Sequence, residues 1–412
     1  MIKKITGRIK TALKNVGLAC QSVFWHKDSS IVLIGSWFGE KFADNSRYLF
    51  QYLSDNKDDL GLTHVVWVTR SEPIVKQLRQ LGYEVYLIGS VESTAYHKKA
   101  KYHIICDSYD DYAKVQTDID TKYSWRSIRV NLWHGVIGFK GVGYGSKEYE
   151  IKKSNHKTLY SLFEILHSNS LFRRFAEYSG GWGNCYFLST TAYRTETLTK
   201  YFRLPRNHYI ETGFARVAGT VRLLPIEEQV MSIINGYRHF ILYLPTFRGA
   251  NSTFDFHEAS TGIIEFLEKR DILWIQKFHS ASPQRTNYLK HEGNILSLPH
   301  DFDINTIIPL ASIMITDYSS VTGDAMYYYK PLIFYVPDIV EYNSGDRGFV
   351  INPNDIMCGP KAFNNEDLKN YIGQYLDDEF RPDKKYLTIR NQYFNQEKSL
   401  REIWIDIKNN AK

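Results

Sequence analysis

The chain has 412 residues, of which 43% are hydrophobic and 23% charged. That length exceeds one ordinary core, so two domains are expected, and the globular composition excludes wholesale disorder. A formal net charge of +6 is too mild for a dedicated DNA binder and suits an enzyme handling anionic substrates or lying near anionic lipid.

In chain order, residues 1–24 come first. Ile5, Ile9, Ala12, Leu13 and Val16 recur at helical spacing, with Lys3, Lys4, Arg8, Lys10 and Lys14 between them. This basic amphipathic segment either lies in a membrane interface or packs as a surface helix on its own domain. No small-residue cleavage site follows an apolar core, so a signal peptide is not expected. No apolar run reaches the roughly 18 residues of a spanning helix. Cys20, Cys106, Cys185 and Cys358 are far apart and form no CxxC pair. Neither a disulfide framework nor a structural zinc site is therefore expected, and a reducing cytoplasm is the simplest compartment.

The next apolar run, Ile31–Ile34, leads into Gly35 and a helix predicted from about Asn45 to Leu53. Val65–Val68 precedes a helix near Pro73–Leu81, and Glu84–Ile88, His103–Cys106 and Arg129–Trp133 follow as predicted strands. After a helical middle section the alternation restarts with Phe240–Leu244, Leu273–Lys277, Ile295–Leu298, Ser312–Ile315 and Leu332–Tyr335, and a helical stretch from about Glu366 to Asn409 closes the chain. Strands separated by helices of this length predict parallel, doubly wound sheets. The expected fold is α/β of the GT-B plan: two Rossmann-like domains, residues 25–212 and 213–390, whose parallel sheets face a central cleft. Residues 391–412 form a C-terminal helix that can pack back on the first domain.

Ligands of open α/β sheets bind beyond the carboxyl ends of strands. That rule gathers Gly35, Ser36, His134, Thr246, Arg248, His279, Asp317, Ser319 and Ser320 into one candidate set. His134 precedes a glycine-rich loop holding Gly135, Gly138, Gly141, Gly143, Gly145 and Lys140; an imidazole there can take a proton from an attacking hydroxyl, or simply bond the loop. Arg248 offers a forked donor to a pyrophosphate. Alternation places Lys277 and His279 on one side of a strand end, where either can neutralise a leaving phosphate or stand as solvated charge. Ser319 and Ser320 sit where a helix start presents free N–H groups to a phosphate, or merely cap that helix. Asp317 and Asp324 hold the turn or orient a ribose, and Asp346-Arg347-Gly348, after Pro337-Asp338, is a candidate for closing a loop over a nucleotide. No G-x-x-x-x-G-K-[ST], H-E-x-x-H or post-strand G-x-G-x-x-G occurs, and no D-x-D closes a strand to hold a divalent ion. Basic residues form no stripe for a nucleic acid.

With these motifs in this order, the chain resembles the CDP-glycerol glycerophosphotransferase family, the teichoic-acid primases and polymerases. The resemblance rests on Phe42-Ala43-Asp44-Asn45-Ser46, Trp133-His134-Gly135 with Lys140 downstream, Thr212-Gly213-Phe214-Ala215-Arg216, Leu244-Pro245-Thr246-Phe247-Arg248, Asp303-Ile304-Asn305, and Ile315-Thr316-Asp317-Tyr318-Ser319-Ser320 with Asp324 and Pro331. It implies a GT-B transferase that moves glycerol phosphate or ribitol phosphate from a CDP-alditol to a hydroxyl of a lipid-linked or polysaccharide acceptor. CMP is released, in synthesis of teichoic acid or a teichoic-like capsule or surface polymer. On this likeness residues 25–212 are the acceptor domain and 213–390 the CDP-donor domain. His134 and His279 are the catalytic pair, and Thr246, Arg248, Lys277, Asp317, Ser319, Ser320 and Asp324 bind the donor. Gly135 and Lys140 meet the acceptor. No cofactor and no obligatory metal is expected. The expected partners are the donor, a lipid-linked or oligosaccharide acceptor and the cytoplasmic face of the cell membrane, with no nucleic acid. The same groups also serve two alternatives, a GT-B glycosyltransferase using a nucleotide sugar and a non-catalytic membrane-associated glycan-binding protein.

Overall fold

The structure, a computed structural model, describes residues 17–412 apart from 107–108, 112–113, 156, 159–160, 162–164, 166–184, 249–257, 280–281, 283–284 and 345–348. Most of the basic segment 1–24, most of the helical middle section and Asp346-Arg347-Gly348 therefore lie outside the described residues. The chain divides into two compact units. The first runs through His134 and adds Lys152–Val221 and Gln396–Lys412; the second takes Gly135–Ile151 and Arg222–Asn395. These limits differ from the expected 25–212 and 213–390 in three places, the smallest being that residues 391–395 stay with the second unit. Residues 213–221 stay with the first unit because Arg216 is anchored there by Asp44. The loop after His134 joins the second unit, where Val136, Ile137 and Phe139 are buried and the Phe139 carbonyl accepts the Val350 N–H at 3.0 Å.

In the first unit, β1 (Asp28–Ile34), β2 (His64–Thr69), β3 (Val85–Leu87), β4 (Ala100–Ile105), β7 (Ile128–Asn131), β8 (Tyr186–Ser189) and β9 (Tyr209–Glu211) form a parallel sheet of order β3-β2-β1-β4-β7-β8-β9. Between β4 and β7 lies an antiparallel hairpin, β5 (Tyr109–Asp111) with β6 (Lys114–Gln116). Val32, Leu33, Ile34, Val66, Trp67, Val68 and Ile104 are fully buried. Continuous apolar runs of this kind are what strands covered on both faces require. The edge strand β9 ends just before the expected boundary at 212/213. Helix Leu400–Asn410, opened by a Ser399/Glu402 capping box, sets Trp404 5.1 Å from the Tyr102 ring, and Asp406 accepts from Thr212 Oγ1 at 2.6 Å.

In the second unit, β10 (His239–Leu244), β11 (Ile272–Gln276), β12 (Lys290–Glu292), β13 (Ile295–Ser297), β14 (Ile313–Thr316), β15 (Leu332–Tyr335) and β16 (Lys361–Ala362) follow the order β12-β13-β11-β10-β14-β15-β16, parallel except for the β12–β13 pair. Its core joins Ile241, Tyr243, Trp274, Ile315 and Ile333 to Leu267, Leu368 and Ile372 from the helices. The expected closing helical stretch breaks into three helices, Asn365–Asp377, Lys384–Tyr393 and Leu400–Asn410. Pro382 cannot continue a helix, and Asp383 caps the next one by accepting the Tyr386 N–H at 2.7 Å. The order of the parallel strands switches direction between β1 and β4 in the first sheet and between β10 and β14 in the second. Those switch points are where open α/β sheets bind ligands. Among the described residues no helix is long and apolar enough to cross a membrane.

Candidate active site

The switch point of the first unit is built from main chain and buried acid. A Cβ on Gly35 would lie 2.2 Å from the Asp118 carbonyl oxygen, so only glycine fits after β1. The fully buried Asp118 accepts from the Phe38 N–H and the Cys106 N–H, each at 2.8 Å, tying the loop after β1 to the end of β4. Ser36 is equally buried and donates to the Ala43 carbonyl at 3.0 Å, which makes it part of the scaffold.

His134 follows β7, half-buried between Trp37 and Trp133, whose rings lie 5.1 and 4.4 Å from its own. Its Nδ1 stands 3.4 Å from the Cys106 carbonyl oxygen. A carbonyl can only accept, so the proton belongs on Nδ1 and the Nε2 lone pair is the basic position. Burial is the largest influence on the ring and pushes its pKa below the ordinary histidine value; Asp44, the Cys106 carbonyl and Asp118 pull upward and Arg216 pushes down. The imidazole is therefore neutral at pH 7, the form a general base needs.

The switch point of the second unit is an ion-paired knot. The Asp317 carboxylate accepts the Thr246 N–H (2.9 Å to Oδ1), the Tyr318 N–H and Arg248 Nη1 (2.8 Å to Oδ2). Arg248 also donates through Nε and Nη2 to Asp338 at 2.6 and 3.1 Å, and through Nη1 to the Thr246 carbonyl at 2.8 Å. Its guanidinium carbon lies 5.0 Å from the Tyr318 ring and 4.7 Å from the Tyr342 ring. The Tyr318 hydroxyl donates to Asp338 at 3.2 Å, and burial first, then Asp338 and Asp317, push its pKa up and keep it protonated. Both Arg248 and Asp317 are thus spent on holding the turn. Of the two readings of Asp317, this geometry is that of a residue holding the turn, and it ties Arg248, expected at a pyrophosphate, into the same turn.

Around this knot Thr246 Oγ1 is buried and has no hydrogen-bond partner among the described residues. Ser319 Oγ accepts the Val321 N–H at 3.4 Å, while Ser320, half-buried, makes no side-chain cap to helix Val321–Tyr327. That helix is under two turns long, so the two hydroxyls matter more than its dipole. Asp324 is buried inside it. Phe278 is buried between half-buried Lys277 and exposed His279, as alternation requires. Gly135 and Lys140 belong to this second unit, with Lys140 Nζ 5.3 Å from the Tyr342 ring. Asp118 and the role of Asp338 were not legible in the sequence. Asp44, Asn45 and Arg216 stand there only as motif, with no task; their shared polarity is the available signal.

Two parallel-sheet α/β units, one presenting a neutral histidine and the other a polar turn with hydroxyls, define a GT-B group-transfer enzyme. A family model described as CDP-Glycerol:Poly(glycerophosphate) glycerophosphotransferase matches residues 19–400, and the chain belongs to this family. It is accordingly a phosphotransferase of the CDP-alditol type. The chain is 23% identical to a teichoic acid poly(glycerol phosphate) polymerase of Bacillus spizizenii, over 81% of this chain and 80% of that one. It is 21% identical to a teichoic acid glycerol-phosphate transferase of Staphylococcus aureus over 84% of each. A structure of the wall teichoic acid polymerase TagF shares the fold at a TM-score of 0.67 and 15% identity, covering 100% of this chain and 98% of that one.

Proposed function

We propose that the chain moves glycerol phosphate or ribitol phosphate from a CDP-alditol to a hydroxyl of a lipid-linked or polysaccharide acceptor in teichoic-acid or teichoic-like polymer synthesis. Family membership supports the donor class, and the observation that carries the chemistry is the neutral, half-buried His134 with its proton held on Nδ1. In this reading Nε2 takes the acceptor hydroxyl proton and the oxygen attacks the alditol-bearing phosphorus. The bond to the CMP oxygen breaks, and CMP leaves with that electron pair. Lys277 and His279 offset the charge on the departing phosphate, in place of a divalent ion. Thr246, Ser319 and Ser320 hold the donor phosphates through their hydroxyls, and Lys140 meets the acceptor. Transfer of this kind asks the protein mainly for positioning, proton removal and charge stabilisation.

The test is nucleotide release from CDP-glycerol, CDP-ribitol and a panel of UDP- and CMP-sugars, with a lipid-linked acceptor and EDTA present. CMP from a CDP-alditol alone is expected; release only from a nucleotide sugar would overturn the assignment, and loss of release in EDTA would overturn the metal-free step. Thr246→Val sharpens the donor contact. An unpartnered buried hydroxyl contributes nothing to the empty protein, so the melting temperature should hold or rise. Loss of one hydrogen bond should raise the CDP-alditol KM about tenfold, and an unchanged KM would remove Thr246 from the donor site.

The basic segment 1–24 and the net charge of +6 support peripheral attachment at the cytoplasmic face of the membrane. Deleting residues 1–24 should move the protein to the soluble fraction. Unchanged membrane recovery would refute that role.

A further inference from the structure

We propose that Asp44, Asn45 and Arg216 form a buried brace that positions His134 for proton transfer, an inference that rests on His134 being the base. Trp133, the residue before it, is held at φ +57°, a left-handed conformation that a bulky aromatic rarely adopts. That conformation persists only where the surroundings over-determine it, and here they do. The Trp133 carbonyl accepts from Asn45 Nδ2 at 2.7 Å, and its N–H donates to Asn131 Oδ1 at 2.8 Å. The His134 carbonyl accepts from Arg216 Nη1 at 2.7 Å. Arg216 in turn donates from Nη1 to Asp44 Oδ1 at 2.5 Å and from its own N–H to Asn45 Oδ1 at 3.0 Å.

All three brace residues are buried. Asp44 itself sits at φ +65° at the head of helix Asp44–Asp55 and accepts the Asn45 N–H at 2.7 Å. The hydrogen bonds of Asn45 and Arg216 therefore end on the two carbonyls that set the direction of the imidazole. The charged groups influencing that ring are Asp44, Asp118 and Arg216, together with the Cys106 carbonyl; Lys41 Nζ lies 5.0 Å from the neighbouring Trp37 ring. Asp44 and Arg216 act on the ring with opposite sign, which separates a positioning role from mere structural support.

The test compares kcat against pH for Asp44→Asn, Arg216→Gln, the double variant and Asn45→Ala in the full chain. Asparagine tolerates the left-handed backbone of position 44. Asp44→Asn and Arg216→Gln should each lower kcat by about 100-fold, the scale of a misplacement near 1 Å, with the donor KM unchanged. The acid limb should move to lower pH in Asp44→Asn, to higher pH in Arg216→Gln, and back toward the parent in the double variant. Asn45→Ala, which changes no charge, should lower kcat without moving the limb. Near-ultraviolet circular dichroism and calorimetric binding of CDP-glycerol identify any variant that fails to fold, in which case Asn45→Ala decides. Limbs that stay put, limbs that shift the same way, or full kcat in Asn45→Ala would each overturn the brace. Turnover surviving in His134→Ala would instead overturn the base assignment on which it rests.

Discussion

Replacing His134 with alanine should cut CMP release from a CDP-alditol by about 10²- to 10⁴-fold, the contribution of a positioned general base, while leaving the donor KM in place. The effect should be this large because the surrounding structure is organised for one nitrogen. Nδ1 faces a carbonyl oxygen, so the imidazole accepts a proton only through Nε2. The pH profile adds a sign. Burial dominates and holds the His134 pKa below 6.5, so the base stays deprotonated at and somewhat below neutrality. Activity should persist through pH 6.5 and fall only at more acidic pH, where the ring finally protonates. A limb above pH 7 would assign the titration to another group, and near-parental turnover by the alanine variant would end the case for His134 as base.

Arg248→Met should destabilise the protein by about 3–5 kcal/mol, the cost of leaving buried charge uncompensated. The side chains of Asp317 and Asp338 are 2% and 9% exposed, and both are ion-paired to this guanidinium. Without it two carboxylates face each other near Tyr318, whose hydroxyl already points at Asp338. Urea denaturation compared with the parent measures the loss. The companion Asp338→Asn keeps the Asp317–Arg248 pair and should cost clearly less. A pyrophosphate clamp would behave in the opposite way: Arg248→Met would then raise the donor KM steeply and leave stability almost untouched.

The legible part of the protein was its strand and helix pattern. Ile31–Ile34, Val65–Val68, Phe240–Leu244 and Leu332–Tyr335 announce themselves because strands buried on both faces must be apolar at every position. Polar residues just beyond predicted strands, His134, Thr246, Asp317 and Ser319, were visible as candidates because ligands collect at the ends of such strands. The edge strands β9, β12 and β16 escaped notice. Tyr209–Glu211, just before the expected boundary at 212/213, went unrecognised because three residues carry too little periodicity to declare a strand.

By itself the sequence determined the α/β class, the strand-end placement of the candidate groups and, through its motifs, the family. Tertiary structure alone decided what each polar group does. Arg248 stood in the sequence as a strand-end arginine, and only folding brought Asp338, 90 residues away, against it. Asp44 and Arg216, 172 residues apart, carried no assigned role until they met beneath His134. The reason is that hydrophobic periodicity is a local property of the chain. The partner of a buried charge is chosen by which distant strands become neighbours where the strand order reverses.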